Sequence, residues 1–138
     1  MATESTFVWD RSFTAAEDLS SSQFYIVSSS GAGVVAKCLA SSGITSVVTR
    51  AYGVLQNNPT SGHAATVRRL GLSKVVASSS ASISVGAFVG SSTWGTAVAA
   101  TTGFLVIGTA MSASSGVSGQ IIEVDLTGPF LYVAASTA

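Results

Sequence analysis

The chain has 138 residues and a mass of 13.8 kDa, the size of one domain able to bury a core of its own. Lys plus Arg number 6 and Asp plus Glu number 6, so charged residues make up 9% of the chain and cancel; without a net field to hold phosphates or anionic lipid, nucleic acid and membrane are not expected as partners. A hydrophobic fraction of 47% is too high for a disordered chain, and the single Cys38 can build neither an intrachain disulfide nor a cysteine metal cage.

The opening M-A-T-E-S-T carries no basic region and no apolar run, so no secretory signal is expected. Residues 97–111 form the longest apolar stretch, but Thr101, Thr102, Gly103 and Gly108 interrupt it and it is too short for a membrane-spanning helix.

Short runs rich in β-branched residues, separated by Gly, Ser, Asn and Pro, predict a mainly β domain. Residues 1–13 read as an extended N-terminal arm, with Phe7, Val8, Trp9 and Phe13 as apolar anchors outside the strand pattern. Such an arm can add itself to a partner's sheet, or its rings can cap the chain's own barrel. Thr14 and Glu17 have the spacing of a capping box for one helical turn over residues 14–18. Strands follow over residues 23–27 and 34–39, as a hairpin, and over 47–55, where Val48, Arg50, Tyr52 and Val54 share one face.

Residues 56–62, Q-N-N-P-T-S-G, must turn, because Pro59 fixes φ and Gly62 tolerates positive φ. The chain returns over residues 64–70, and Gly71 permits a bulge or bend before a short strand over 73–77. Residues 87–90 and 96–99 flank the S-S-T-W-G turn as a second hairpin, and 104–111 and 120–126 are the last two strands of a barrel domain set at residues 14–127. This strand spacing favours a small barrel or sandwich. In the C-terminal extension, residues 128–138, Pro129 cannot continue a central ladder. The apolar run Phe130, Leu131, Tyr132 and Val133 either packs on a neighbouring subunit or folds back on its own barrel.

Residues able to do chemistry are scattered. His63 is the only imidazole and sits at the rim of a turn, away from the acids of the first eighteen residues and from Glu123 and Asp125. Glu123 and Asp125 share a face in the pattern of a half-exposed strand rather than of a paired-carboxylate site. Arg68 and Arg69 point to opposite faces, a poor phosphate clamp, and one of them is expected to pair with an acid or pack its stem. Cys38 reads as a small core residue, and no glycine pattern makes a nucleotide loop. Trp94, in a hairpin turn, either anchors a contact between proteins or folds back over its strands. No enzyme activity, cofactor or metal is expected.

The run Y-G-V-L-Q-N-N-P-T-S-G-H-A-A-T-V at residues 52–67, continued by G-L-S-K-V-V-A at 71–77, resembles the G-V-L-Q-N-x-P-x-x-G-x-x-A-x-V segment of tailed-phage head decoration (capsid cement) proteins. The pieces D-L-S, G-A-F-V, G-T-A-V, V-I-G-T-A-M and Q-I-I-E-V fall in the same order, so the resemblance spans roughly residues 14–126. Its most specific positions are Gly53, Gln56, Asn57, Pro59 and Gly62. What the resemblance implies is a small β-barrel or β-tulip-like domain, made in the host cytoplasm, that sits on the capsid exterior as a homotrimer. There it would bind the major capsid protein and cement neighbouring capsomers against the pressure of packaged DNA. In that setting Phe7, Val8, Trp9 and Phe13 would be the capsid-binding arm, and Phe130, Leu131, Tyr132 and Val133 the intersubunit contacts. The alternative is a phage-surface adhesin or receptor-binding domain that presents Ser/Thr-rich loops to a carbohydrate or host protein.

Overall fold

A computed structural model describes residues 7–39, 50–79, 82–117 and 119–132. Among these the chain forms strands and no helix: β1 (Trp9–Ala15), β2 (Ile26–Gly31), β3 (Val34–Lys37), β4 (Ala51–Leu55), β5 (Ala64–Val76), β6 (Phe88–Ser91), β7 (Ala97–Ala99), β8 (Leu105–Ala110) and β9 (Ile121–Leu131). They lie in the order β1-β3-β2-β4-β5-β9-β8-β6-β7, and an added β1–β5 pairing closes the first five into a barrel. β1 runs antiparallel to β5 from Trp9↔Leu70 to Thr14↔Ala64 and parallel to β3 at Thr14↔Val34 and Ala15↔Val35.

β5 belongs to both halves of the molecule. Its first half completes the barrel, while its second pairs with β9 from Leu70↔Thr127 to Val76↔Ile121. β1 and β9 therefore lie end to end along one edge of β5, with the handover at Leu70. Gly71, with φ +96°, marks the place: a Cβ there would run into the Phe7 carbonyl and the Val8 backbone. Glycine's freedom to take positive φ is used here, but the strand runs through in register with β9, and the two strands expected on either side of it are one. Beyond β9 the second sheet curls until Ala77 bridges Ala97 of β7, so that half also closes on itself.

Two cores follow from this sharing. One fills the barrel with Ala15, Leu19, Val27, Val35, Leu55, Ala65 and Val67. The other lies under the second sheet and contains Val75, Val89, Ile107, Ile122, Val124 and Leu126, together with Ile26 and Val54. Successive residues of a strand face opposite ways, so the neighbours Ile26 and Val27, like Val54 and Leu55, each give one side chain to each core. Both faces are buried at these two places, which is why the pairs Ile26-Val27 and Val54-Leu55 are apolar at consecutive positions instead of alternating. β9 alternates instead: Ile122, Val124 and Leu126 are buried while Glu123 and Asp125 are exposed.

Besides the merged β5, the structure corrects the sequence reading at four further points. Residues 9–13 are not an arm outside the barrel: they lie in β1, its closing strand, and the boundary set between residues 13 and 14 cuts through it. The strand is held mainly by its ladder, since only Ala15 is buried and Phe13 half-buried, so no apolar periodicity announces it. The capping box is not formed, because Thr14 lies within β1 and Glu17 Oε2 accepts the Lys37 backbone N–H at 3.2 Å. The first hairpin strand starts at Ile26 rather than residue 23, after Phe24 turns the chain with φ 66°. Finally, β9 runs through Gly128 and Pro129 to Leu131, so the boundary between residues 127 and 128 also falls within a strand. The five residues from Leu126 to Phe130 lie opposite the three from Gly108 to Val106, a bulge in β9. Pro129 sits in that bulge, where its missing N–H breaks no ladder bond, and Gly128 supplies φ +83°.

Candidate functional site

The residues most specific to the phage-like motif build a latch. Gly53 lets β4 approach β5, since a Cβ would strike the Arg68 carbonyl. Gln56 Nε2 donates to the Val54 carbonyl at 3.1 Å and to Ser73 Oγ at 2.9 Å. Asn57 clamps the start of β5 from both sides, Nδ2 donating to the Ala64 carbonyl at 3.0 Å and Oδ1 accepting the Thr66 N–H at 2.9 Å. The Pro59 carbonyl accepts the Leu19 N–H at 2.9 Å, and Gly62, with φ +82°, donates to the Ala15 carbonyl at 2.9 Å. The motif thus ties the β4–β5 connection to the end of β1; its polar groups are used within the fold.

At the other end of β1, Phe7 is 73% and Trp9 42% exposed, while Val8 is half-buried. Phe13 is drawn inward, edge-on to the Tyr52 ring at 5.3 Å between centroids. Of the four expected arm anchors, Phe7 and Trp9 thus face solvent most and Phe13 joins the barrel. Asp10 grips Arg68 across the strands, Oδ1 to Nε at 2.8 Å and Oδ2 to Nη2 at 3.1 Å, and Arg68 Nη1 donates to the Leu72 carbonyl at 2.9 Å. Arg68 is thus the arginine that pairs with an acid. The fork geometry adds specificity, and its half-open position limits its worth to about 1 kcal/mol. Arg69, on the opposite face, lays its guanidinium 4.6 Å from the Tyr52 ring centroid.

The end of β9 forms a third feature. Phe88 of β6 meets Phe130 and Tyr132 edge-on, each at 5.6 Å between centroids. Tyr132 N–H donates to the Phe104 carbonyl at 2.9 Å, and Leu131 pairs with Leu105 of β8. Phe130 and Tyr132 therefore pack on their own chain, yet Phe88, Phe130 and Leu131 stay 42%, 41% and 51% exposed. Beyond Thr127, β9 pairs with β8 alone among the described residues, leaving a strand edge beside the rings. Val133 lies outside the described residues. Phe88 was not singled out from sequence, because only the registers Phe88↔Thr109 and Val106↔Phe130 bring it to the C-terminal rings.

Where the two halves meet, a cleft of about 310 Å³ is lined by Phe24, Gln56, Arg68, Leu72, Lys74 and Glu123. Arg68 and Gln56 are already bonded as above, and the Lys74 ammonium lies 6.0 Å from the Phe24 ring centroid. His63 Nδ1 is 2.8 Å from Thr60 Oγ1 within its own turn. Hydrogen bonds from the Ser20 side chain and backbone lower the Asp18 carboxyl below its ordinary pKa, as in a tight Asx turn. Cys38 is buried in the second core. Among the described residues no group of three or more His, Cys, Asp or Glu could hold a metal ion.

These features define a small all-β domain with a closed five-stranded barrel, a curled sheet continuing from its longest strand, and aromatic side chains left at the surface. In fold it is similar to the N base of head fiber gp8.5 of bacteriophage phi29, with a TM-score of 0.60 at 16% identity, over 91% of this chain and 100% of that one. At such identity the likeness is one of fold. No family model matches the chain, and no curated protein does.

Proposed function

We propose that this chain is a structural protein of a phage head, seated on the outside of the expanded capsid as a homotrimer that binds the major capsid protein and cements neighbouring capsomers. The observation that carries the reading is the fold shared with a phage head fiber base over 91% of the chain. The resemblance of the 52–77 segment to decoration proteins supports it from the sequence side. A surface with only six acidic and six basic residues suits a protein partly covered by copies of itself and by a shell.

In this reading the subunits meet through Phe130, Leu131 and Tyr132 with Phe88, beside the open edge of β9, so that ring burial and strand pairing act together. Burying two such rings contributes a few kcal/mol per subunit. Phe7, Val8 and Trp9 are the capsid contact, and three copies per trimer multiply a weak contact through effective concentration. Exterior binding requires no charge attraction, in keeping with a neutral chain.

The test combines light scattering on the free protein with sedimentation alongside expanded heads of its own phage assembled without it. The expected result is a trimer that pellets with heads to a saturating ratio, and a Phe130→Ser/Leu131→Ser variant that stays folded but loses the trimer. A monomer that stays in the supernatant refutes the proposal.

A further inference from the structure

The turn joining β6 to β7 carries Trp94, 68% exposed and, among the large apolar side chains of the described residues, second only to Phe7. The turn under it is held firmly. Ser92 N–H donates to the Thr96 carbonyl at 2.7 Å, and Ser92 Oγ accepts the backbone N–H of Trp94 at 3.1 Å and of Thr96 at 3.3 Å. Gly95, with φ +83°, seats the tip against the start of β2: its carbonyl accepts the Ile26 N–H at 2.7 Å, and a Cβ in its place would stand 3.4 Å from Tyr25 Cδ2. The indole is thus displayed from a fixed backbone beside a second aromatic ring, not folded back over its strands.

A groove of about 260 Å³ opens here, lined by Trp94, Tyr25, Val76, Ser78, Ser79 and Thr96 among others. We propose that this groove binds a neutral saccharide. The apolar C–H face of a sugar ring stacks on an indole or phenol face, while its rim of hydroxyls needs partners that both give and take hydrogen bonds. Ser and Thr hydroxyls do both, and each has two acceptor sites besides its donor, so Thr96 keeps capacity beside its 2.7 Å bond to Ser92 Oγ. Among the described residues the lining holds no Lys, Arg, Asp or Glu, so it offers no charge to select a phosphate, an acidic glycan or a charged peptide. A proline-rich peptide also favours aromatic grooves, but it has no N–H at its prolines to engage the hydroxyl wall. The inference is independent of the capsid role, which uses other surfaces.

The test is NMR titration of the free, full-length chain with chitotriose, cellotriose and maltotriose, and with decaproline for comparison, following the indole N–H signals. The expected result is a saturable shift of the Trp94 indole with at least one trisaccharide while Trp9 stays unmoved. Trp94→Ala should weaken that affinity by about tenfold or more, the equivalent of one well-made aromatic contact, and Trp94→Phe should restore part of it. Trp94 is exposed, so both variants should keep the spectral dispersion of the folded chain. The proposal is overturned if no trisaccharide moves the Trp94 indole up to its solubility limit, or if decaproline moves it and the sugars do not. Either failure leaves the head-binding result untouched, because no heads are present.

Discussion

Deleting residues 2–13 abolishes the cooperative unfolding transition of this domain. The deletion removes the ladder from Trp9↔Leu70 to Phe13↔Ala65 and strips one side of the first half of β5. It also removes the Asp10 fork on Arg68 and the Phe13 ring from Tyr52, and it opens a barrel that β1 alone closes between β3 and β5. At about 1 kcal/mol per backbone hydrogen bond, with the ring contact added, the loss is on the order of 5 kcal/mol, comparable to the whole stability of an ordinary domain. Circular dichroism melting and the dispersion of amide NMR signals measure it. A cooperative melt within a few degrees of the full chain would show that these residues are a dispensable arm after all.

Gly108→Ala has the next largest effect. The three atoms nearest to the added Cβ all belong to the backbone of Asp125 and Leu126, so no side chain can swing aside, and β8 must part from β9 in the middle of the second sheet. A loss of about 3 kcal/mol is expected, seen as a fall in Tm of about 10 °C for a chain of this length. Gly31→Ala is the matched control: its Cβ would meet only Val34 Cβ, at 3.9 Å, and it should change stability by less than about 0.5 kcal/mol. Equal melting temperatures for the two variants would refute the close approach of β8 and β9.

The contrast between β9 and β1 shows what the sequence made legible. In β9 the alternation of Ile122, Val124 and Leu126 with Glu123 and Asp125 is a period of two that can be read directly, and burial follows it. β1, W-D-R-S-F-T-A, buries almost nothing. Its membership in the sheet rests on backbone pairing with a strand more than fifty residues away, as the Asp10–Arg68 bond shows, and local pattern carries no trace of that. Pro129 misled in a related way: the rule that proline leaves a central ladder held, but the chain met it with a bulge and resumed pairing with β8.

The surface features divide similarly. Pro59 and Gly62 announced the turn at 56–62, and the structure uses both: the Pro59 carbonyl accepts the Leu19 N–H, and Gly62, at positive φ, donates to the Ala15 carbonyl. The rings at Phe130 and Tyr132 were visible as an apolar run, but their partner Phe88 and the open edge beside them depend on strand order. Trp94 could be read as a turn residue. That its ring stands in solvent beside Tyr25 follows from how Gly95 docks on β2, a long-range contact.

The central claim, that this is a structural protein of the phage head exterior, is tested most directly by counting. Quantitative mass spectrometry of gradient-purified, DNA-filled virions, with surface biotinylation before disruption, gives both copy number and exposure. The account expects copies approaching those of the major capsid protein, with Lys37 or Lys74 labelled on intact particles. Absence from virions, a few copies as at a single vertex, or labelling only after the particles are broken would contradict it.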